Sequence, residues 1–501
     1  MLRSCPPASK GGAAGWENRE YFFGQTKRIT GMIDVAQKNV VVVGLGVTGI
    51  AAARFLKNRG AAVVATDQAS ASELGSKVRE FSALGIPLEL GGHRSETFNR
   101  ADLIVLSPGV SHTIAPVLQA RDRGVPVMGE IELASRYIRQ PVAAMTGTNG
   151  KTTTTELLGD MLERSGLNVF VGGNIGNPLI DYAGGKQEAD VIVAEISSFQ
   201  LDTTATFKPH IGVLLNITAD HLDRYPDFEA YAASKIRLFE NQQADDVAVL
   251  NGADPLVRSL TQKMTSRILI YPNPEGEEIG ARLIDRDIEL DPDAISGTAS
   301  EIRNPHAAIR NQFALNLSGF KLAGRHNREN ACAASLAALA AGGRPQAIQD
   351  TLNQYRGSAH RMEYIATIAD IDFYNDSKAT NVAAVMRAVE CFDKPVVLIM
   401  GGLDKGSDFK ELRDIFTRHV KKLFLLGQAA DLIRRALDDT VPTATATSMT
   451  AAVSQAYRDS SAGDVVLLSP GCASFDMYDN YAQRGNDFKE SVTKLKPKNP
   501  A

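Results

Sequence analysis

Short apolar runs that end in glycine or a polar turn recur along the chain, each followed by apolar residues at helical spacing. Val40 to Val43 is a β-branched run closed by Gly44; small and apolar residues from Ile50 to Leu56 repeat with a helical period, and Ala62 to Ala65 begins a second strand. That order is a β-α-β unit, which sets its two strands parallel in one sheet. Further strand-like runs at Leu103 to Leu106, Val142 to Met145, Val191 to Ala194 and Ile211 to Leu215 alternate with helical patterns, so parallel sheets covered by helices are predicted. An Ala-rich helix stops near Gly342, Gly343 and Pro345, and a third series follows with buried strands at Val396 to Met400, Leu423 to Leu426 and Val465 to Leu468. Residues 254–316 carry the weakest pattern.

The 501 residues suit three domains of about 150 residues each. The expected class is α/β, with joints near Pro141 and Gly357. An extension occupies 1–37, a Rossmann-like domain 38–140, a central P-loop ATPase-type domain with a mainly parallel sheet 141–357, and a C-terminal Rossmann-like domain 358–501. The extension is Gly-rich, has no apolar signal core, and carries Glu17 and Glu20, unlike an acid-poor transit peptide. Met32 stands just before the first strand, so the extension is expected to be a disordered arm or a start placed too early.

Composition narrows the function. Apolar residues at 44% and charged residues at 22% exclude disordered and collagenous classes. With 54 Lys and Arg against 58 Asp and Glu the net charge is −4, which removes the global attraction that nucleic acids require. Cys5, Cys332, Cys391 and Cys472 are too scattered for a disulfide framework or a zinc cluster, which fits a reducing cytoplasm. No apolar run approaches a membrane span, so no membrane insertion is expected.

Chemistry concentrates at strand ends. Gly44-Leu45-Gly46-Val47-Thr48-Gly49, with Asp67 ending the next strand, matches a dinucleotide turn, in which glycines let backbone N–H groups approach a diphosphate at a helix N-terminus. A nicotinamide dehydrogenase and a purely structural turn are both open on this motif. Ser107-Pro108-Gly109 follows a neighbouring strand and can complete the same pocket. Thr146-Gly147-Thr148-Asn149-Gly150-Lys151-Thr152-Thr153 is a phosphate loop, although Met145 stands where the usual pattern has its first glycine. Lys151 suits β- and γ-phosphates, and the Thr152 hydroxyl suits Mg²⁺. Glu195 ends a strand and is a candidate Mg²⁺ ligand, while Asn216 to Tyr225 places His221 in a polar cluster at another strand end. By spacing alone, Lys235 reads as a solvated lysine.

Taken together, these segments resemble the Mur ligases of bacterial peptidoglycan synthesis from about residue 38 to the end. The likeness extends to Gly172-Gly173-Asn174-Ile175-Gly176, Glu195 to Leu201, Gly324 to Asn330, Ser358 to Glu363, Asn375 to Asn381, Gly401 to Lys405 and Ser469 to Asp476. It implies ATP on Gly147, Thr148, Asn149, Gly150, Lys151, Thr152 and Thr153, with Asn327 and Asn330 at adenine and Arg361, Asp376 and Lys378 reaching from the third domain. It implies catalysis by Lys151, Glu195, His221 and Lys235, with two Mg²⁺ ions served by Thr152, Glu195, His221 and a carbamylated Lys235; a carbamate supplies anionic oxygens that an ammonium lacks. The glycine turn passes from a nicotinamide cofactor to a UDP-sugar substrate, held by Val47, Thr48, Asp67, Ser107, Gly109 and Asn174.

The third-domain segments resemble the D-glutamate-adding type, and the Asp-Asn-Pro-Arg signature of diaminopimelate-adding relatives is absent. Thr380, Lys405, Ser474, Phe475 and Tyr481 then receive D-glutamate; Phe475 and Tyr481 stand where the family pattern has a leucine and a phenylalanine. The implied activity is an ATP-dependent amide ligase that joins D-glutamate to UDP-N-acetylmuramoyl-L-alanine through an acyl phosphate. The implied protein is a monomer in the bacterial cytoplasm. The rival readings are the dehydrogenase, a folylpolyglutamate-synthase-like ligase sharing the ATP loop, and a non-catalytic nucleotide-binding module.

Overall fold

The computed structural model describes residues 31–221, 224–272, 279–291 and 313–496. The extension through Thr30, and Leu222 and Asp223 of the polar cluster, lie outside the described residues.

The first sheet has five strands, β1 (Asn39–Val43), β2 (Ala62–Asp67), β3 (Leu88–Leu90), β4 (Leu103–Leu106) and β5 (Val127–Gly129), all parallel in the order β3-β2-β1-β4-β5. Val40 to Val43 and Leu103 to Leu106 are buried throughout, which explains why these strands read as continuous apolar runs rather than alternating ones. Chain order reverses between β1 and β4, so a crevice opens where the glycine turn and Ser107 emerge. Residues 31–37, grouped above with the extension, lie against this layer: Val35 is buried in its core, and the Tyr137 hydroxyl donates to the Ile33 carbonyl.

The central sheet repeats the plan with β6 (Val142–Thr146), β7 (Val169–Gly173), β8 (Val191–Glu195), β9 (Ile211–Leu214), β10 (Val247–Asn251) and β11 (Arg267–Tyr271), parallel in the order β11-β10-β9-β6-β8-β7. The phosphate loop leaves β6, with Glu195 on one flanking strand and Asn216 just beyond the other. Helix Arg325–Ala340 is buried along nearly its whole length and packs on the phosphate-loop helix Lys151–Arg164; its alanines permit that close approach. The weakly patterned stretch contributes β11 and an antiparallel sheet of β12 (Ala281–Ile284), β13 (Asp287–Leu290) and β14 (Phe313–Asn316).

First and central domains share one apolar core, and a buried carboxylate rivets them. Glu132 accepts from the Ala205, Thr206 and Phe207 amides and the Thr206 hydroxyl, and pairs with Arg136. The C-terminal sheet comprises β15 (Glu363–Ile368), β16 (Ile371–Asn375), β17 (Val396–Gly401), β18 (Val420–Leu426), β19 (Thr443–Thr445) and β20 (Val465–Leu468) in the order β15-β16-β20-β17-β18-β19. Only β15 runs antiparallel to its neighbour. The loops after β16, β17 and β20 therefore emerge at one edge. Among the described residues no helix is long and apolar enough to cross a membrane.

Candidate active site

The phosphate loop turns from β6 into its helix through Gly150, whose φ of 85° suits glycine, and a Cβ there would lie 2.4 Å from Asn330 Oδ1. The expected adenine-side asparagine is thus packed against the loop. Asn327 is buried beside it, donating to the Ala323 carbonyl and accepting from Asn330 Nδ2. Lys151 curls back, its Nζ donating at 2.9 Å to the carbonyls of Gly147 and Thr148. Burial lowers its pKa, Glu195 and Asp220 oppose that shift, and Arg361 adds to it. The charge of Arg361, on the third domain, is therefore felt at the loop of the central one.

Glu195 is 2% exposed and held from both sides: Thr152 Oγ1 donates to Oε2 at 2.8 Å and Asn174 Nδ2 to Oε1 at 2.7 Å. A carboxylate and a hydroxyl beside a phosphate loop are a donor set that suits Mg²⁺, which commonly takes one or two carboxylates and completes its shell with phosphate and water. Among the described residues no three His, Cys, Asp or Glu side chains converge as a ready-made metal cage, so the remaining ligands fall to phosphate, water and other side chains. His221 has a positive φ of 54° and a side chain 46% exposed. Its ring lies 3.7 Å from Asp220 Oδ2 and packs on Phe199 at 4.9 Å between centroids.

Lys235 is where spacing alone misleads most. The side chain is buried, with its Nζ donating at 2.8 Å to the Gly147 carbonyl and resting 4.7 Å from the Tyr231 ring centre. Burial first, and repulsion from Lys151 second, push its pKa down to about 7. A neutral amine is then well populated near neutrality, and that is the form that can capture CO₂ as a carbamate. Thr148 Oγ1 bonds both Tyr231 and the Thr218 carbonyl, and Asn149 exchanges hydrogen bonds with Asn216. Asn216 opens the polar cluster read from the sequence, whereas the sequence alone assigns no role to Tyr231. Thr153 follows in the first turn of the helix.

A cavity of about 410 Å³ joins the first domain to the central one. Thr48, Asp67, Ser107, Gly109 and Asn174 line it together with Gln200, whereas Val47 stands on the outer turn, 67% exposed. Asp67 holds the turn itself, accepting from the amides of Leu45 and Ala69, and Ser107 Oγ donates to the Gly44 carbonyl at 2.8 Å. Gly46 has an ordinary φ of −76°, and a Cβ there would meet nothing within 4 Å. No protein neighbour demands that glycine, so a ligand approaching the backbone is its best explanation. Since Asn174 also donates to Glu195, which accepts from Thr152, hydrogen bonds run from the wall of this cavity to the phosphate loop. Arg224, another unforeseen residue, covers the Phe199 ring at 4.8 Å and reaches the Gly109 carbonyl across the domain boundary.

In the third domain, His360 and Met362 adopt positive φ on either side of Arg361, a strained turn of the kind that gathers at functional sites. Asp376 is buried, accepting from the Met362 amide and the Ser469 hydroxyl, and burial raises its pKa to about 7. Lys378 Nζ lies 5.6 Å from the Tyr481 ring centre. Ser474 is buried, Thr380 half-buried, and Lys405, Phe475 and Tyr481 exposed at the same sheet edge.

Three family models match the chain in succession: the Mur ligase MurD-like N-terminal domain over 38–129, the Mur ligase middle domain over 145–338 and the Mur ligase glutamate ligase domain over 360–472. The chain is 49% identical over 464 residues to the UDP-N-acetylmuramoylalanine–D-glutamate ligase of Desulfosudis oleivorans, covering 93% of this chain and 98% of that one. It is 46% identical over 463 residues to the enzyme of the same description from Desulfatibacillum aliphaticivorans, covering 92% and 100%. In fold it is similar to the UDP-N-acetylmuramoylalanyl-D-glutamyl-2,6-diaminopimelate–D-alanyl-D-alanyl ligase of Acinetobacter baumannii, with a TM-score of 0.51 at 16% identity over 85% of this chain and 87% of the other.

Proposed function

The chain belongs to the Mur ligase family, and on that premise we propose that it joins D-glutamate to UDP-N-acetylmuramoyl-L-alanine in an ATP-dependent step of peptidoglycan precursor synthesis. The observation that carries this reading is the single continuous site in which Asn174 links the cavity of the first domain to Glu195, and Glu195 links in turn to Thr152 of the phosphate loop.

A free carboxylate is a poor acyl donor, so the L-alanine carboxylate first attacks the γ-phosphorus of ATP in line; the bond to the β,γ-bridging oxygen breaks, ADP is the leaving group, and the carboxylate becomes an acyl phosphate. Lys151 neutralises charge on the transferred phosphoryl group, and the loop amides hold the β-phosphate. Thr152 and Glu195 hold Mg²⁺, and His221 with a carbamylated Lys235 serves a second ion. These ions, when bound, spread the negative charge of the phosphates. Asn327 and Asn330 position adenine, and Arg361, Asp376 and Lys378 reach ATP from the third domain. The cavity at Thr48, Asp67, Ser107 and Gly109 holds the UDP end, with Val47 at its rim. The amine of D-glutamate, oriented by Thr380, Lys405, Ser474, Phe475 and Tyr481, then attacks the acyl carbon, and phosphate leaves. We take the working unit to be a monomer.

The test is phosphate release from ATP with Mg²⁺ and UDP-N-acetylmuramoyl-L-alanine, comparing D-glutamate, L-glutamate, meso-diaminopimelate and no amino acid, with the product identified by mass. Amide product with D-glutamate alone is expected. Product with diaminopimelate instead would overturn the assignment of the amino acid.

A further inference from the structure

The three loops that meet at the C-terminal edge of the third sheet are tied to one side chain that belongs to none of them. Arg484, on the first turns of helix Tyr481–Thr493, is 2% exposed. Its Nε donates to Ser377 Oγ at 3.0 Å and its Nη2 to the Ser377 carbonyl at 2.8 Å, both on the loop after β16. Its Nη1 donates to the Cys472 carbonyl at 3.1 Å, after β20, and to the Gly401 carbonyl at 3.5 Å, at the end of β17. Those loops carry Lys378 and Thr380, Ser474 and Phe475, and Lys405 respectively.

Burial of a cation among one hydroxyl and three carbonyl oxygens is costly, and it pushes the pKa of Arg484 down to about 10, still cationic near neutrality. A lysine cannot reproduce this arrangement, because its three donors radiate from one nitrogen whereas the guanidinium reaches these oxygens from three nitrogens spread across a plane, and an apolar residue offers no donor. The surroundings are fitted to it. Ser377 Oγ donates onward to the Tyr481 carbonyl at 2.7 Å, and Leu403 and Ala473 exchange backbone hydrogen bonds that lock two of the loops together. A Cβ on Gly402 would lie 2.2 Å from the Ala473 carbonyl and 3.1 Å from Arg484 Nη1. By contrast, the ATP-side Asp376 has its own anchors in Met362 and Ser469.

We propose that Arg484 is the positioning residue of the amino-acid site, setting the mutual spacing of the three loops that receive the carboxylates of D-glutamate. This rests on the reading of that edge as the D-glutamate site. Arg484→Lys is expected to raise KM for D-glutamate about tenfold or more, KM for ATP, which Lys378 on the same loop also serves, by clearly less than that, and KM for the UDP-substrate by less than about twofold. Ser377→Ala, which removes only the shared hydroxyl, is expected to raise KM for D-glutamate about threefold and serves as the deciding variant if circular dichroism shows that Arg484→Lys does not fold. A folded variant whose KM for D-glutamate stays within about twofold of wild type, or whose KM for ATP rises equally, overturns the proposal. Failure of the wild-type chain to use D-glutamate would instead refute the site reading, and so is distinguishable.

Discussion

The first and central domains both begin with a buried strand that runs into a glycine turn at a switch point, yet the two turns are built differently. Gly44 to Gly49 has no cation of its own, and its one carboxylate, Asp67, is engaged by the amides of Leu45 and Ala69. The turn offers backbone and open space, which suffices to bind a diphosphate. Gly147 to Thr153 is crowded. Lys151, a buried Lys235 and a buried Glu195 are all held within hydrogen-bonding distance of loop groups. Similar backbone geometry thus serves binding in one place, and in the other the management of charge as it develops.

Removing charge from the second turn is the strongest way to test that contrast. Lys151→Ala should lower kcat by at least ~10³-fold, with UDP-substrate affinity by calorimetry shifting less than about twofold. Lys235→Ala should lower kcat by about 10²-fold, and added bicarbonate should not restore it, because no amine remains to carbamylate. A pair of glycine replacements separates the turns further. Gly46→Ala should weaken UDP-substrate binding by roughly tenfold and leave the melting temperature unchanged, whereas Gly150→Ala, forced to a φ of 85° against Asn330, should cost about 1–2 kcal/mol of stability by denaturant titration. The smallest effect concerns pH. Lys235 falls from an ordinary 10.5 to about 7 on folding, so between those values the unfolded chain binds more protons and the contribution to stability rises with pH. Wild type should therefore gain on Lys235→Met by at most about 1.4 kcal/mol per pH unit across that window, in CO₂-free buffer, and a flat difference would show that Lys235 titrates normally.

Much of this organisation was legible beforehand because buried parallel strands announce themselves as apolar runs. β1, β4, β6, β8, β9, β17, β18 and β20 all stand where the hydrophobic pattern put them. Short or half-exposed strands such as β3, whose residues are only half-buried, and β19 gave no such signal. The phosphate loop and Glu195 were readable because they follow strands immediately. Lys235 was not, since burial of a lysine on a helix depends on what the fold lays over it, and local spacing calls it solvated. Tyr231, Arg224 and Arg484 escaped for the same reason: their roles lie in partners 83, 115 and 107 residues away in sequence.

The central claim is that the crowded loop transfers a phosphoryl group onto the substrate carboxylate before the amide forms. Label the L-alanine carboxylate of UDP-N-acetylmuramoyl-L-alanine with ¹⁸O, run the reaction with ATP, Mg²⁺ and D-glutamate, and analyse the released phosphate by mass. Transfer of one labelled oxygen to each phosphate released is the predicted result; unlabelled phosphate accompanying amide formation would contradict the account.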